Sequence, residues 1–435
     1  MEHTKDCAAS ATAWSYRRIF AVSAPALLSL FADQMGFAFM FPTLPEYLES
    51  NHVKAYDTWV GAILCSQFFG NTIGSVAMGY LCDIKTSKLA LQVSMIFDAV
   101  FFALSALPFV HPVVLLVVRF FVGFSSPMST SLTFMFDRLP PECIPKAVTL
   151  FMTFGISAYV VGNLLIGTLH STLRWEGECF VSSAGAILAL LVLHFRSTPS
   201  NRVGPQPTPE GVRRVLVAPE LVSGALAQVM MGYAYSTKYM LAVLRWEATF
   251  GVATDIIGYM ILPVPAILLV CNMVGPLLVE KFGINSNVSA GLMLLVVFFV
   301  IIALVLDNFW AFTILTSADW TPFVLSLNPN QNKPPAIAAK YTVNGLGFVT
   351  GVFQFGYALG QGLAPVVSVL LYQITPWLPW ATLAAFAAVS LAVHKALGLQ
   401  WFGDPLPEGK TGGNAEAVIE ADVGLELSAT TGHDA

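Results

Sequence analysis

The chain has 435 residues, of which 56% are hydrophobic and only 11% are charged. Soluble globular domains carry about 25% charged residues, so this composition excludes an ordinary water-soluble protein. The net charge of −5 says little about partners, because most of the surface of such a chain faces lipid. No nucleic-acid partner is expected.

Twelve apolar stretches are each long enough to cross a bilayer, which takes about 20 residues. They are approximately residues 19–45, 59–82, 88–110, 112–136, 147–170, 177–195, 216–244, 256–280, 286–306, 309–327, 341–371 and 375–398. The first stretch is too long for a cleaved signal peptide, lacks a small-residue cleavage site and leads directly into further spans. We therefore predict an all-α, multi-pass integral membrane protein with twelve transmembrane helices.

Positive charges are distributed unevenly between the connecting segments. With a cytosolic N-terminus, sixteen of the twenty-one Lys and Arg fall in cytosolic segments and three fall in outer loops: Lys54, Arg174 and Arg245. This asymmetry is typical of the positive-inside rule. It predicts that both termini are cytosolic, and it leaves open whether the membrane is plasma, vesicular or vacuolar.

The spans divide into two bundles of six helices, at residues 19–195 and 216–398. The segment that joins them, 196–215, is rich in Pro, Gly and Arg and is predicted to be a flexible cytosolic linker. A cytosolic N-terminus (1–18) precedes the first bundle. The C-terminal tail (399–435) is predicted to be disordered.

The sequence carries no signature of catalytic or metal chemistry. It contains no nucleophile–base motif, no nucleotide-binding loop and no Cys or His spacing that suits zinc. The six cysteines suggest no disulfide framework. We expect neither an enzyme nor a protein that needs a metal or another cofactor.

A glycine-containing charged motif, GYLCDIKTSKLAL (79–91), ends the second span. It resembles the loop signature of the major facilitator superfamily, with matches at Gly79, Leu81, Asp83, Lys88 and Leu91 and departures at Ile84, Thr86 and Ser87. The end of the eighth span, PLLVEKFG (276–283), repeats the motif in the second half. The resemblance implies a cytosolic gate formed by Gly79, Asp83, Lys85, Lys88, Glu280 and Lys281. The alternative is a basic loop that only sets topology.

Regularly spaced glycines mark three further spans. RFFVGFSSP (119–127) is similar to the family's fourth-span signature, and GISAYVVGNLLIG (155–167) is repeated as GVFQFGYALGQG (351–362) in the second half. The glycines expected to allow close helix packing are Gly123, Gly155, Gly162, Gly167, Gly356 and Gly360. Repeats across two halves are used by alternating-access carriers, so the resemblance implies the major facilitator fold and a monomer.

Asp33 lies in a stretch that has no other formal charge from Ile19 to Pro45. At about 1.5 Å per residue it lies near mid-bilayer, where a carboxylate costs roughly 2.5 to 3.5 kcal/mol. The stretch around Asp33 resembles the first span of proton-coupled drug and vesicular amine antiporters, and ADWTP (318–322) resembles their tenth. The resemblance implies that Asp33 and Asp319 serve proton exchange and amine binding.

The sequence departs from those antiporters at two positions that carry a paired lysine and acid in vesicular amine transporters. By our placement these positions are Gln67 and Thr350. Both charges are absent, so neither is left without a partner. The missing acid also leaves the proton stoichiometry open.

Other polar and aromatic residues in the spans are candidates for the same site. Arg119 lies roughly 12 Å inside the outer boundary, and Asp98 is expected to be its counter-ion, in a functional or a purely structural pair. Lys238, near Tyr235, is expected to extend to the outer headgroups rather than to contact substrate. Trp320 either contacts an organic cation through its ring or faces lipid. Gln354, in the eleventh span, completes the candidate proton- and substrate-binding residues.

The leading hypothesis is a secondary carrier that exchanges protons for small organic cations or drugs, with lipid, protons and a small-molecule substrate as partners. One alternative is a symporter or uniporter of an organic anion, a sugar or another metabolite, anchored by Arg119 and Lys238. Another is a membrane receptor or scaffold that does not transport, although the short loops leave such a protein little surface.

Overall fold

A computed structural model of the protein describes residues 15–54, 56–107, 111–196, 208–252, 256, 260, 263–341 and 345–397. Within these ranges the chain is helical apart from turns and caps, and no strand occurs in them. The predicted tail (399–435) and most of the predicted N-terminus (1–18) lie outside the described residues. So does the first part of the predicted linker.

The first half consists of long helices that run back and forth across the molecule. They are α1 (Tyr16–Ser50), α2 (Tyr56–Ile84), α3 (Ser87–Ser105), α4 (Pro112–Ser125), α5 (Pro127–Arg138) and α6 (Ile144–Arg196). α4 and α5 form one broken span, because Ser126 has a φ of 44° and Pro127 starts the next helix. α6 contains two spans, with a break at Arg174, which has a φ of 51°.

The second half has more interruptions. Its helices are α7 (Pro209–Leu216), α8 (Pro219–Ala248), α9 (Pro263–Phe282), α10 (Ile284–Leu304), α11 (Phe309–Ala318), α12 (Trp320–Gln331), α13 (Lys333–Tyr341), α14 (Leu346–Ile374) and α15 (Leu378–Ala396). The predicted tenth span is divided between α11 and α12, with Asp319 at the break. The described end of the predicted linker forms the helix α7.

Nine helical spans in the described residues are long and apolar enough to cross a membrane, with α4 and α5 counted as one and α6 as two. The number rises to ten if α7 and α8, which meet at a bend of 62°, are counted as one broken span. The start of the predicted eighth span falls mostly outside the described residues. The all-helical architecture that the sequence predicts is confirmed in the described residues.

Helix α2 of the first half packs along α14 of the second half. A Cβ atom added to Gly79 would lie 2.3 Å from the carbonyl oxygen of Gly347, and one added to Gly351 would lie 2.4 Å from that of Ser75. Any side chain at these positions would push the two backbones apart. Glycines therefore hold the two halves in direct backbone contact.

Four of the glycines named from the sequence also lie at close helix contacts. Cβ atoms added to them would lie less than 3 Å from a neighbouring helix; they are Gly123, Gly162, Gly356 and Gly360. Gly155 does not share this environment, because its nearest neighbour would be Leu30 Cδ2 at 3.6 Å, an ordinary contact. Gly167 lies outside the residues whose surroundings are described.

Candidate functional site

A central cavity of about 140 Å³ lies between the two halves. Its wall in the first half comes from α1, α2, α4, α5 and α6, and its wall in the second half comes from α8, α9, α12 and α14. A ligand in this cavity would contact both halves at once. This is the placement that a carrier with alternating access requires.

The lining combines amide and aromatic side chains. The amides are Gln34, Gln67, Asn71, Asn163, Asn272 and Gln361, and the aromatic residues are Phe37, Phe68, Phe151, Tyr159, Tyr235, Tyr239, Trp320, Phe323 and Tyr357. Among the described lining residues, Asp33 is the single one with a formal charge. The wall is completed by aliphatic side chains, so the cavity is mostly apolar and aromatic, with several amides and one acid.

The side chain of Asp33 projects from α1 into this cavity and is 8% exposed. Its Oδ2 accepts a hydrogen bond of 2.8 Å from Gln34 Nε2. No Lys, Arg or His within the described ranges forms an ion pair with it. The carboxyl group therefore reaches the cavity without a built-in cationic partner.

Asp98, on α3, lies close enough to Asp33 for the two charges to repel each other. Its Oδ1 accepts a hydrogen bond of 2.5 Å from Ser125 Oγ on α4. The expected ion pair with Arg119 is not formed, so that prediction is wrong. Asp98 is the neighbour of the cavity acid instead, although it does not line the cavity itself.

Arg119 is buried in an aromatic and thiol environment. Its guanidinium carbon lies 4.7 Å from the ring centre of Trp175 and 5.3 Å from that of Phe102. Its Nη2 donates a hydrogen bond of 3.3 Å to Cys179 Sγ. Cation–π contacts thus take the place of a carboxylate partner among the described residues, and the side chain does not line the cavity.

Lys238 forms a buried ion pair with Asp319. The distance from Lys238 Nζ to Asp319 Oδ1 is 2.7 Å, and the two side chains are 2% and 0% exposed. The expectation that Lys238 extends to the outer headgroups is therefore wrong. A lysine surrounded by protein can only be accommodated with its charge balanced, and Asp319 balances it.

Trp320 and Tyr235 form part of the cavity wall beside this ion pair. Lys238 Nζ lies 4.0 Å from the ring centre of Trp320, and the rings of Tyr235 and Trp320 meet edge to face at 5.5 Å. Trp320 is buried, so the lipid-facing alternative is excluded. Gln354 is buried away from the cavity, where its Nε2 donates to Gln331 Oε1 at 2.9 Å.

The end of α2 meets the start of α14 at the predicted cytosolic end of the molecule, the end at which α1 begins. Asp83 accepts hydrogen bonds from the backbone N–H groups of Gly347 at 2.8 Å and Phe348 at 2.6 Å. These N–H groups belong to the first turn of α14, where a helix has no internal acceptors for them. The carboxylate therefore caps a helix of the other half and links the two halves at this end.

The other charged residues of the predicted gate lie at or near the protein surface. Lys85 is exposed and Lys88 is half-buried. In the second half Glu280 and Lys281 are both exposed. No ion pair of Lys85, Glu280 or Lys281 occurs within the described ranges. The second copy of the motif therefore does not form a gate contact like that of Asp83.

Two polar networks at the same end were not identified from the sequence. In the first half, Arg138 Nη1 donates to Ser87 Oγ at 2.7 Å, and this hydroxyl donates to Asp137 Oδ2 at 2.7 Å. In the second half, Lys340 Nζ donates to Glu220 Oε1 at 2.7 Å, and this bond raises the pKa of Lys340. These residues lie at span ends, where charges are common, so composition gave no signal that they form pairs.

Asp83→Ala is expected to loosen the predicted cytosolic closure. It removes two hydrogen bonds to a charged acceptor, each contributing about 1.5–3 kcal/mol, and leaves the first turn of α14 without its cap. Cys82 lies against Gly347 and is buried, so its labelling by a maleimide should rise at least about tenfold while transport falls. Cys82→Ser identifies the labelled site.

Lys85→Ala is the matched control, because this neighbouring side chain is exposed and should leave Cys82 protected. Normal abundance in the membrane should accompany the increased labelling of the Asp83 variant. Loss of the protein from the membrane without increased labelling would contradict a gating role and indicate a topogenic or structural one.

Two helical halves that face each other across a central cavity, and that contact each other at one end, have the architecture of a membrane transporter. The sequence agrees with this class. The profile of the Major Facilitator Superfamily matches residues 26–327, which is more than half of the chain. The protein belongs to this superfamily, and it is a transporter rather than an enzyme.

Solved structures share the fold at low sequence identity. The human organic anion transporter MFSD10 (TETRAN) is 16% identical with a TM-score of 0.68, covering 86% of this chain and 99% of its own. The proton:xylose symporter XylE is 13% identical with a TM-score of 0.71 and coverages of 88% and 96%. A bacterial homologue of the iron transporter ferroportin, outward-facing, is 12% identical with a TM-score of 0.69 and coverages of 87% and 99%. No curated protein matches the chain in sequence.

Proposed function

We propose that the protein is a proton-coupled antiporter of small organic cations. The observation that carries this proposal is the position of Asp33, which lies in the central cavity without a cationic partner among the described residues. Aromatic rings surround it, and a ring face together with a carboxylate suits an organic cation. The cavity thus offers a cation both its charge partner and its apolar contacts.

Asp98 supports the coupling of this site to protons. When Asp33 and Asp98 are both ionised, their charges repel each other. This repulsion is removed either by a proton bound to one of the two carboxyl groups or by a substrate cation bound at Asp33. Once one of them is bound, the other is no longer needed to relieve the repulsion. Competition between proton and substrate for one site is the basis of antiport, because the empty ionised site is the costly state to carry across a membrane.

An organic anion is less well suited to this cavity. That alternative relies on Arg119 and Lys238, and neither side chain lines the cavity. Lys238 is neutralised by Asp319, and Arg119 is held by Trp175. The structural neighbour that carries organic anions shares only the fold at 16% identity, so its substrate does not decide that of this chain.

A hydroxylated neutral solute such as a sugar is the second candidate. Gln67 Oε1 and Asn272 Nδ2 are buried and have no hydrogen-bond partner in the described part of the chain. Both side chains line the cavity, one from each half. Hydroxyl groups of a neutral solute would satisfy this acceptor and this donor. Recognition would then rest on hydrogen bonds rather than on the charge of Asp33.

The orientation and the oligomeric state belong to the same proposal. The charge asymmetry of the connecting segments supports cytosolic termini. Asp83 then closes the cytosolic side, and the cavity serves an outward-facing or occluded state. A monomer is sufficient, because both walls of the cavity come from one chain.

Uptake into proteoliposomes tests the proposal. Methylphenylpyridinium is permanently charged, so an acidic lumen cannot trap it by protonation. With the membrane potential clamped at zero, an inside-acid gradient should drive its accumulation, and an outside-acid gradient should not. Xylose and para-aminohippurate should not accumulate under either gradient. Accumulation of xylose, together with no accumulation of methylphenylpyridinium, would support the neutral-solute candidate and overturn cation antiport.

A further inference from the structure

The second half contains a site with the chemistry of an organic-cation site, and a lysine of the chain already fills it. The ammonium of Lys238 contacts the carboxylate of Asp319 at 2.7 Å. It also lies 4.0 Å from the ring centre of Trp320 and 5.2 Å from that of Phe323. A carboxylate and two ring faces are the groups that bind a substrate ammonium.

This filled site lies beside the central cavity. Trp320 and Phe323, the two rings that contact the lysine ammonium, both line the cavity. Tyr235 lies one helical turn before Lys238 on α8, also lines the cavity and contacts Trp320. Aromatic side chains thus separate the ion pair from the cavity, while Lys238 and Asp319 are buried behind them.

We infer that Lys238 is a built-in cation that occupies the second cation site of the carrier and restricts its substrates to those with one positive charge. The inference rests on the proposed function, because it takes the first charge to bind at Asp33. A second ammonium would enter the half of the cavity whose described lining is uncharged. It would lose its hydration there without gaining a partner.

Matched amines test the inference by direct binding. The probes are linear diamines of four to ten carbons and the monoamines of equal length, titrated against the purified full chain. The wild-type protein should prefer each monoamine to its diamine. In Lys238→Ala, Asp319 is vacant, and the diamine whose length matches the separation of the two sites should gain at least about tenfold in affinity relative to its monoamine.

A second measurement does not depend on transport or on Asp33. Propylammonium reproduces the end of the deleted lysine side chain, so it should raise the melting temperature of Lys238→Ala. Every protein compared carries Asp33→Asn, because a monoamine bound at Asp33 would itself raise the melting temperature. In that background propylammonium should have no such effect when Lys238 is present, or when Asp319→Asn accompanies Lys238→Ala. The double variant Lys238→Ala/Asp319→Asn with Asp33 intact should also lose the gain in diamine affinity, which would assign both effects to the vacant carboxylate.

The possible failures are distinguishable. A wild-type protein that binds no monoamine overturns the proposed function, and the inference is lost with it. Wild-type binding of monoamines and diamines with equal affinity contradicts the inference alone. The inference alone is also contradicted if Lys238→Ala still binds monoamines but gains no affinity for any diamine. A Lys238→Ala protein that propylammonium cannot stabilise, beside a well-folded double variant, shows that the site does not accept an external cation.

Discussion

Asp33→Asn is expected to reduce pH-driven uptake of methylphenylpyridinium to the level of protein-free liposomes. Asparagine keeps the size of the side chain and can still accept the hydrogen bond from Gln34, but it cannot ionise or exchange a proton. The variant should fold normally, since removing a buried charge that has no cationic partner relieves a cost rather than adding one. Its melting temperature should equal or exceed that of the wild-type protein.

Glu210→Gln is the control for the loss of one acidic charge. Glu210 lies on the short helix α7, is exposed, and pairs with Arg214 on the surface, where such a pair contributes little to stability. Uptake and melting temperature should both stay at wild-type values. Normal pH-driven uptake by Asp33→Asn would refute the proposed antiport. A large fall in its melting temperature would show that Asp33 has a structural partner.

The sequence was sufficient to predict the features that depend on position along a helix. Depth in the bilayer follows from counting residues, so Asp33 could be placed near the centre of a span. The motif at 79–91 grouped Gly79 and Asp83 in one cluster, and the structure places both against Gly347. That this cluster gates transport stays a prediction. These predictions needed no knowledge of which way each helix is rotated.

Predictions that depend on helix rotation were less reliable. Spans in a membrane are apolar on all sides, so hydrophobic periodicity does not reveal which face is buried. Lys238 was therefore assigned to the headgroups and Asp98 to Arg119. The structure turns Lys238 towards Asp319 and Asp98 towards Ser125. In both cases the partner lies on a different helix, and contacts between side chains of different helices cannot be deduced from one sequence alone.

The interruption of the tenth predicted span also has a local cause that hydropathy does not record. α11 ends at Ala318 with Asp319 as its cap, and Pro322, which has no N–H to donate to the carbonyl of Ala318, is the third residue of α12. A buried acid and a proline weaken a continuous helix. The break places Asp319 beside the first turn of α12 and directs Trp320 into the cavity wall. The interruption therefore creates the site that Lys238 fills.

Asp319→Asn is expected to destabilise the protein, in contrast to Asp33→Asn. Its loss leaves the Lys238 ammonium buried with no carboxylate, and breaking a buried pair in this way costs about 3–5 kcal/mol. Thermal unfolding of the purified protein should show a melting temperature lower by several degrees. Lys238→Met should be destabilising in the same way, because it leaves the Asp319 carboxylate without its cation.

The double variant Lys238→Met/Asp319→Asn separates charge balance from packing. Methionine fills most of the volume of the lysine side chain, so the pair is replaced by two neutral groups of similar shape. Replacing a buried ion pair by well-packed neutral residues is often neutral or stabilising, and the double variant should recover most of the lost melting temperature. A double variant whose fall in melting temperature equals the sum of the falls in the two single variants would show that each residue acts through separate contacts. An Asp319→Asn protein as stable as the wild type would show that the buried lysine does not need its partner, and with it the argument that Lys238 neutralises this half of the carrier would fail.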